Sequence, residues 1–363
     1  MKQASYPVAS HSYFHVTNKA EQKQRFLNSE TVNPTFAYRD MFDTLVVQGR
    51  LDEAVQENVE KSLKLVLAGI RIQKAEPSEA ELQEFRTCNT DLFQAPTLDL
   101  VAAIFGRVSQ LVSKDTAELW QYVTAHVPIN IETRAVAPSQ RDFMIYKNYL
   151  ERYIDTSISR EGSLVDELHH TLETTGLKSK GWSVKLVDDA SHARVNHHEK
   201  TIRIGREYKP RTLKAKKRIA LHEVYGHALR GPQQSLAESE GFAIVLEQLL
   251  DERFKFRRAY RYLAVALGWG VDGKQRDFRD VHEIIWRLMV IVSGYAPHDA
   301  KSYAFDECVR AFRGGRPDIA GAVYLKDAVY LVANITIWDR LCKDKLEYND
   351  FIDIIEGRRK VLA

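Results

Sequence analysis

Cysteine is scarce in this sequence. Its three residues, Cys88, Cys308 and Cys342, stand far apart and are odd in number, which argues against a disulfide framework and predicts free, core-packed thiols in a reducing compartment. One-sided charge is also lacking. The 52 Lys and Arg nearly cancel the 49 Asp and Glu, so the strong positive field of a dedicated nucleic-acid binder is missing. No stretch reaches the roughly 18 uninterrupted apolar residues of a membrane-spanning helix; even LAVALGWG and IIWRLMVIV are short. The start, MKQASYPVASHSYFHV, carries no apolar region behind its lysine, so no secretory leader is expected. These absences predict a cytoplasmic chain with neither nucleic acid nor membrane as partner. Internal repeats, low-complexity tracts and flexible linkers are absent as well. One domain over residues 1–363 is therefore expected, with a helical portion over 1–175 and a portion over 176–363 that holds a sheet and further helices.

What the chain does contain is helical periodicity. Beyond the turn-like Asn33-Pro34, Val59, Leu63, Val66 and Ile70 recur at the spacing of one helical face. Helices are also predicted at about 97–112 and 141–154, the second carrying Phe143, Tyr146, Leu150 and Tyr153. Near Gly181 the texture changes: WSVKLV and TIRIG are alternating or β-branched, and the polar stretch DDASHARVNHHEK separates them. This predicts a small antiparallel sheet. A helix should begin near Arg211-Thr212 and run to Gly231-Pro232, the usual punctuation after a helix end. Another starts at Ser235 with Leu236, Glu240, Ala243, Ile244 and Leu250, and more follow at about 253–267, 277–293, 299–312 and 325–343. The fold class is mainly α with a small antiparallel β-sheet, α+β.

The chemistry concentrates in His222-Glu223-Val224-Tyr225-Gly226-His227. Zinc peptidase helices commonly place two histidines at i and i+4, so both imidazoles leave one face, and the glutamate after the first activates water on the metal. Here the spacing is i and i+5. At about 100° per residue, five steps separate the side chains by roughly 140°, too far for joint ligation on an undistorted α-helix. The helix should therefore be widened around Tyr225-Gly226, as in a π-bulge, with glycine tolerating the altered backbone. Catalytic zinc takes three protein ligands and keeps one position open. Glu240, 13 residues after His227 and followed by Gly241, is the best third donor, with Glu238 and Glu247 as rivals. The plainer alternative is a histidine hydrogen-bonded in a core and another near a helix C-terminus. His192, His197 and His198 form a second histidine group, for which a solvated hairpin is the simpler reading.

Together these segments resemble the tyrosine/phenylalanine carboxypeptidase domain family. The resemblance covers most of the chain: Asn33-Pro34-Thr35-Phe36-Ala37-Tyr38, the strand Trp182 to Val187, the H-E-x-x-x-H helix ending Leu229-Arg230, and Glu240-Gly241-Phe242-Ala243, which is similar to an E-G-L-A element. Phe312-Arg313-Gly314 and Lys326-Asp327-Ala328-Val329-Tyr330 are similar to R-G and K-D-x-x-Y elements. Phe242 in place of leucine, and Gly231-Pro232-Gln233 after the metal helix, depart from the pattern. The resemblance implies a zincin-like metallopeptidase core, Zn2+ on His222, His227 and Glu240, Glu223 as general base, and removal of an aromatic C-terminal residue from a peptide or protein.

A carboxypeptidase needs a cation for the terminal carboxylate, preferably an arginine, and Arg313 and Lys326 are the candidates. Tyr330 or Tyr324 would donate to the developing oxyanion; a surface cation and a core tyrosine are the ordinary readings. The strands before the metal helix could take a peptide as an added strand. The competing functions are a zinc endopeptidase or aminopeptidase, and a regulatory protein that keeps zinc without turnover.

Overall fold

The computed structural model describes residues 14–38, 53–74, 76–93, 96–109, 116–127, 137–154, 162–188, 192–232, 234–256 and 258–362. Residues 1–13, most of the start read for a leader, lie outside them, as do Gln233 and the side chain of Val59. In chain order the helices are α1 (Lys19–Leu27), α2 (Glu53–Ile72), α3 (Glu79–Leu92), α4 (Leu98–Ser109), α5 (Ala117–His126), α6 (Gln140–Tyr153) and α7 (Leu164–Thr174). Three strands follow, β1 (Ser183–Val187), β2 (Ala193–Asn196) and β3 (Thr201–Gly205). Then come α8 (Leu213–Ala220), a π-helix (Leu221–Ala228), α9 (Leu236–Asp251), α10 (Ala259–Trp269), α11 (Phe278–Ser293), α12 (Pro297–Phe312), α13 (Lys326–Asp344) and α14 (Tyr348–Ile355). The class is α+β, mainly helical. Among the described residues no helix is long and apolar enough to cross a membrane.

The chain packs as two units, each built from two segments: Met1–Ala135 with Arg257–Val329, and Val136–Phe256 with Tyr330–Ala363. The division expected near residue 175 falls inside the second unit. In the first unit Phe26 meets Phe278 and Phe305 at ring distances of 5.2 and 5.5 Å. Helix α2 buries the stripe read from the sequence only in part: Val66 is buried and Ile70 is exposed, while Leu65, Ala68 and Ile72 are buried beside Val66. The reason is Gly69, where a Cβ would lie 2.8 Å from the Gly314 carbonyl and 2.9 Å from the Phe14 ring; that close approach turns the i, i+3, i+7 row of Leu65, Ala68 and Ile72 inward. The three cysteines are free, and only Cys308 is buried.

Asp327, buried in the first unit, pairs with Arg310 at 2.8 Å and Arg313 at 3.4 Å. Burial would raise its carboxyl, but Arg310 and Arg313 outweigh burial and hold it far below the usual carboxylate range. Because the folded group titrates below the unfolded one, its stabilisation is complete above about pH 4 and declines as pH falls further. Asp327→Asn removes the buried charge that both arginines face. It is expected to destabilise the protein by about 3–5 kcal/mol and to weaken the acid-side fall in stability, measured by denaturant unfolding against pH.

The second unit contains the sheet and the sequence motif. The sheet predicted from the sequence is antiparallel; the one observed is mixed, in the order β1-β3-β2. Strand β2 lies inside the polar stretch and pairs antiparallel with β3, whereas β1 pairs parallel with β3. Two local features explain the unexpected strand. Asn196 Oδ1 accepts from the Glu199 amide at 3.1 Å, and Lys200 takes φ +50°, which reverses the chain within residues 197–200. Ile202 and Ile204 then point into the core with Val184 and Val195 packed beside them, while Lys185, Arg203 and Arg194 align across the strands at the alternate positions.

Candidate metal centre

Thr212 caps α8, its hydroxyl accepting from the Ala215 amide at 3.1 Å. From Leu221 to Ala228 the helix changes hand-off from i−4 to the wider π pattern, and the Leu229 amide donates to the Val224 carbonyl, five residues back, at 2.8 Å. Gly231 at φ +80° ends the run. The widening expected from the i, i+5 spacing is present, and it extends over two turns. As a result the His222 and His227 rings lie 4.8 Å apart at 78° to each other, instead of diverging.

Gly226 has a different part from the one its conformation suggests. It is not among the positive-φ glycines, and a Cβ there would meet Ala243 Cβ at 2.5 Å. Its small size lets the π-helix lie directly on α9. Gly241 does the same on another side of α9, where a Cβ would sit 2.6 Å from Ala333 Cβ on α13. Two glycines thus bring three helices close, and Glu240 is carried to the histidines.

His222 Nε2 and His227 Nε2 each lie 3.6 Å from Glu240 Oε2. A tetrahedral ion with arms of about 2.0–2.2 Å holds its donors about 3.3–3.5 Å apart, so the three atoms fit a divalent ion with little rearrangement. Among the described residues this is the one group of three or more such side chains close enough to hold a metal, all within 4.8 Å of one another. His192, His197 and His198 form no such group; His197 packs edge-on against Trp182.

Outside the donors, each imidazole is held by its other nitrogen. His222 Nδ1 is 2.7 Å from Glu247 Oε1, and His227 Nδ1 is 2.6 Å from Ser239 Oγ. These contacts leave both Nε2 atoms facing the cluster; with Nδ1–H donating outward and Nε2 unprotonated, each ring would offer a metal its Nε2 lone pair. Tyr330 donates to Glu240 Oε1 at 3.1 Å and leaves Oε2 toward the histidines. In this structure Tyr330 therefore positions a donor carboxylate.

Burial depresses His222, but Glu240 and Glu247 outweigh it and push it well above its ordinary value. His227 is drawn down to about 4 by burial. Glu223, 8% exposed, is pushed up to about 7 by burial in the same surroundings. It stands beside the three donors without being one of them.

The rivals of Glu240 have other work. Glu247 braces His222, and Glu238 forms a buried pair with Arg230 at 2.9 Å. Ser239 is the participant sequence reasoning overlooked, although it adjoins Glu240. Glu247 had a usable signal, since seven residues after Glu240 on one helix it returns to the same face. The remaining candidates belong to the first unit. Arg313 pairs with Asp327 and lies 5.1 Å over the Tyr324 ring; Lys326 is buried at the start of α13. Tyr324 is a core residue, edge-on to Phe14 at 5.2 Å and Phe93 at 5.3 Å.

Compared with protein-family models, curated proteins and solved structures, the chain matches none of them.

Proposed function

We propose that this protein is a zinc-dependent metallopeptidase acting as a carboxypeptidase, with His222, His227 and Glu240 as the zinc ligands. The observation that carries this reading is the π-helix, which brings an i, i+5 histidine pair onto one carboxylate oxygen and sets Glu223 beside them as a non-ligand. A structural zinc site fills its four positions with protein ligands and needs no base; three donors plus a buried, protonatable glutamate suit hydrolysis.

Zinc held by His222, His227 and Glu240 would supply a Lewis acid for the scissile carbonyl and would lower the pKa of water. The protein's own groups do the rest. Glu223 accepts a proton from the attacking water and passes it to the leaving amide nitrogen as the C–N bond breaks. Glu247 and Ser239 hold the two imidazoles in the ligating tautomer, and Tyr330 fixes the Glu240 carboxylate. Strand β2 packs against the π-helix and ends the sheet, so its outer edge suits an extended peptide held by main-chain hydrogen bonds.

The carboxypeptidase assignment rests on the motif resemblance and is tested by substrate ends. Zinc-loaded protein is expected to release an aromatic residue from peptides with a free C-terminal carboxylate and to lose activity by roughly two to four orders of magnitude when that end is amidated, because a site built to hydrogen-bond a substrate group strongly rejects an analogue lacking it. Mass spectrometry of the products reads this directly. Internal cleavage that ignores amidation would make it an endopeptidase.

A further inference from the structure

The buried pair formed by Arg230 and Glu238 has no part in the chemistry above, yet it joins the two helices that carry the ligands. Arg230 follows His227 by three residues; Glu238 precedes Glu240 by two and Ser239 by one. Their side chains are 0% and 3% exposed. Arg230 Nη2 donates to Glu238 Oε1 at 2.9 Å, and its guanidinium lies 4.5 Å over the Phe242 ring. A third group completes the arrangement: the Val361 amide donates to the same Glu238 oxygen at 2.8 Å.

The segment after α14 is held at two further points. At Gly357, with φ +74°, a Cβ would lie 2.5 Å from the Arg230 carbonyl, so only glycine lets the segment cross there. One residue earlier, Glu356 accepts from the Tyr153 hydroxyl. Residues 356–361 thus pass over the end of the metal-bearing helix and close on α9 beside the ligand.

A buried ion pair is weak evidence for stability, because apolar residues of equal volume often do as well; its best-attested use is to fix register. Register is what this centre requires, since a small slide of the π-helix along α9 moves His227 relative to Glu240 and Ser239 together. We propose that Arg230, Glu238 and the Val361 amide form a latch that sets this register, making the 356–361 segment a positioning element of the metal centre. The proposal rests on the zinc reading given above.

Two variants test it. Glu238→Gln keeps volume and an acceptor but removes the charge; Val361→Pro removes the amide donor and leaves the pair. Zinc affinity is measured by competition with a chromogenic chelator, and coordination geometry from the ligand-field spectrum of the Co2+-loaded protein. Expected are a zinc affinity about 10- to 100-fold weaker and shifted Co2+ bands in both variants, with cooperative unfolding retained. Unchanged affinity and unchanged bands in both overturn the latch, as does a lowered unfolding midpoint with the parent Co2+ spectrum, which marks a merely structural pair. Failure of the parent protein to bind zinc overturns the metal centre itself, a result distinct from either.

Discussion

In the Glu223→Gln variant, peptide hydrolysis is expected to fall about 100- to 10,000-fold while bound zinc stays at the parent level. The two readouts separate because Glu223 adjoins the donors without joining them. Gln fills the same volume and removes a charge that burial already disfavours, so neither the π-helix nor the ligands should suffer. What the amide cannot do is take a proton from water and return it to the amine. Metal analysis and hydrolysis rates on the same preparations decide the matter. Equal rates in variant and parent would remove Glu223 from the mechanism. Zinc lost together with activity would make it a structural residue of the centre, and zinc bound by both proteins with no turnover in either would favour a regulatory zinc protein.

Much of this centre was legible because its information is local. The spacing of His222 and His227 can be reconciled with one metal only if the helix widens, and Leu221–Ala228 is a π-helix. Thr212, Ser235 and Gly231 mark helix ends through their own side chains or backbone, so those boundaries were readable too. What was hidden depends on partners distant in the chain. Strand β2 has only four residues, with no apolar run to announce it, and exists because β3 pairs with it. The parallel pairing of β1 with β3 places a later strand between two earlier ones, which no hydrophobic pattern encodes. Arg313 reads as a cation for a substrate carboxylate until Asp327, 14 residues on, is found beside it. Ile70 is exposed where its row predicts burial, because Gly69 meets Phe14 and Gly314. In each case the deciding atom comes from another element.

Gly226→Ala is expected to abolish most zinc binding and hydrolysis and to destabilise the fold by about 1–3 kcal/mol, the range for overpacking a filled contact. The sign is informative. Alanine is favoured over glycine within a helix by about 0.8–1.0 kcal/mol, so if Gly226 served only backbone conformation at its ordinary φ, the substitution would stabilise. The added methyl would instead lie 2.5 Å from Ala243 Cβ and 3.0 Å from Ala243 Cα. Ala243 stands one turn after Glu240 on α9, and α9 is held on another side by the tight Gly241–Ala333 contact and by the Gln248, Asn334 and Trp338 hydrogen bonds. With α9 so braced, the π-helix must yield, carrying His227 away from Glu240. The double variant Gly226→Ala/Ala243→Gly moves the methyl across the same contact and should recover zinc binding to within a few-fold of the parent, measured by chelator competition alongside thermal unfolding. A single variant that binds zinc normally would sink the close-approach account, and a double variant as defective as the single one would return the glycine requirement to the π-helix backbone.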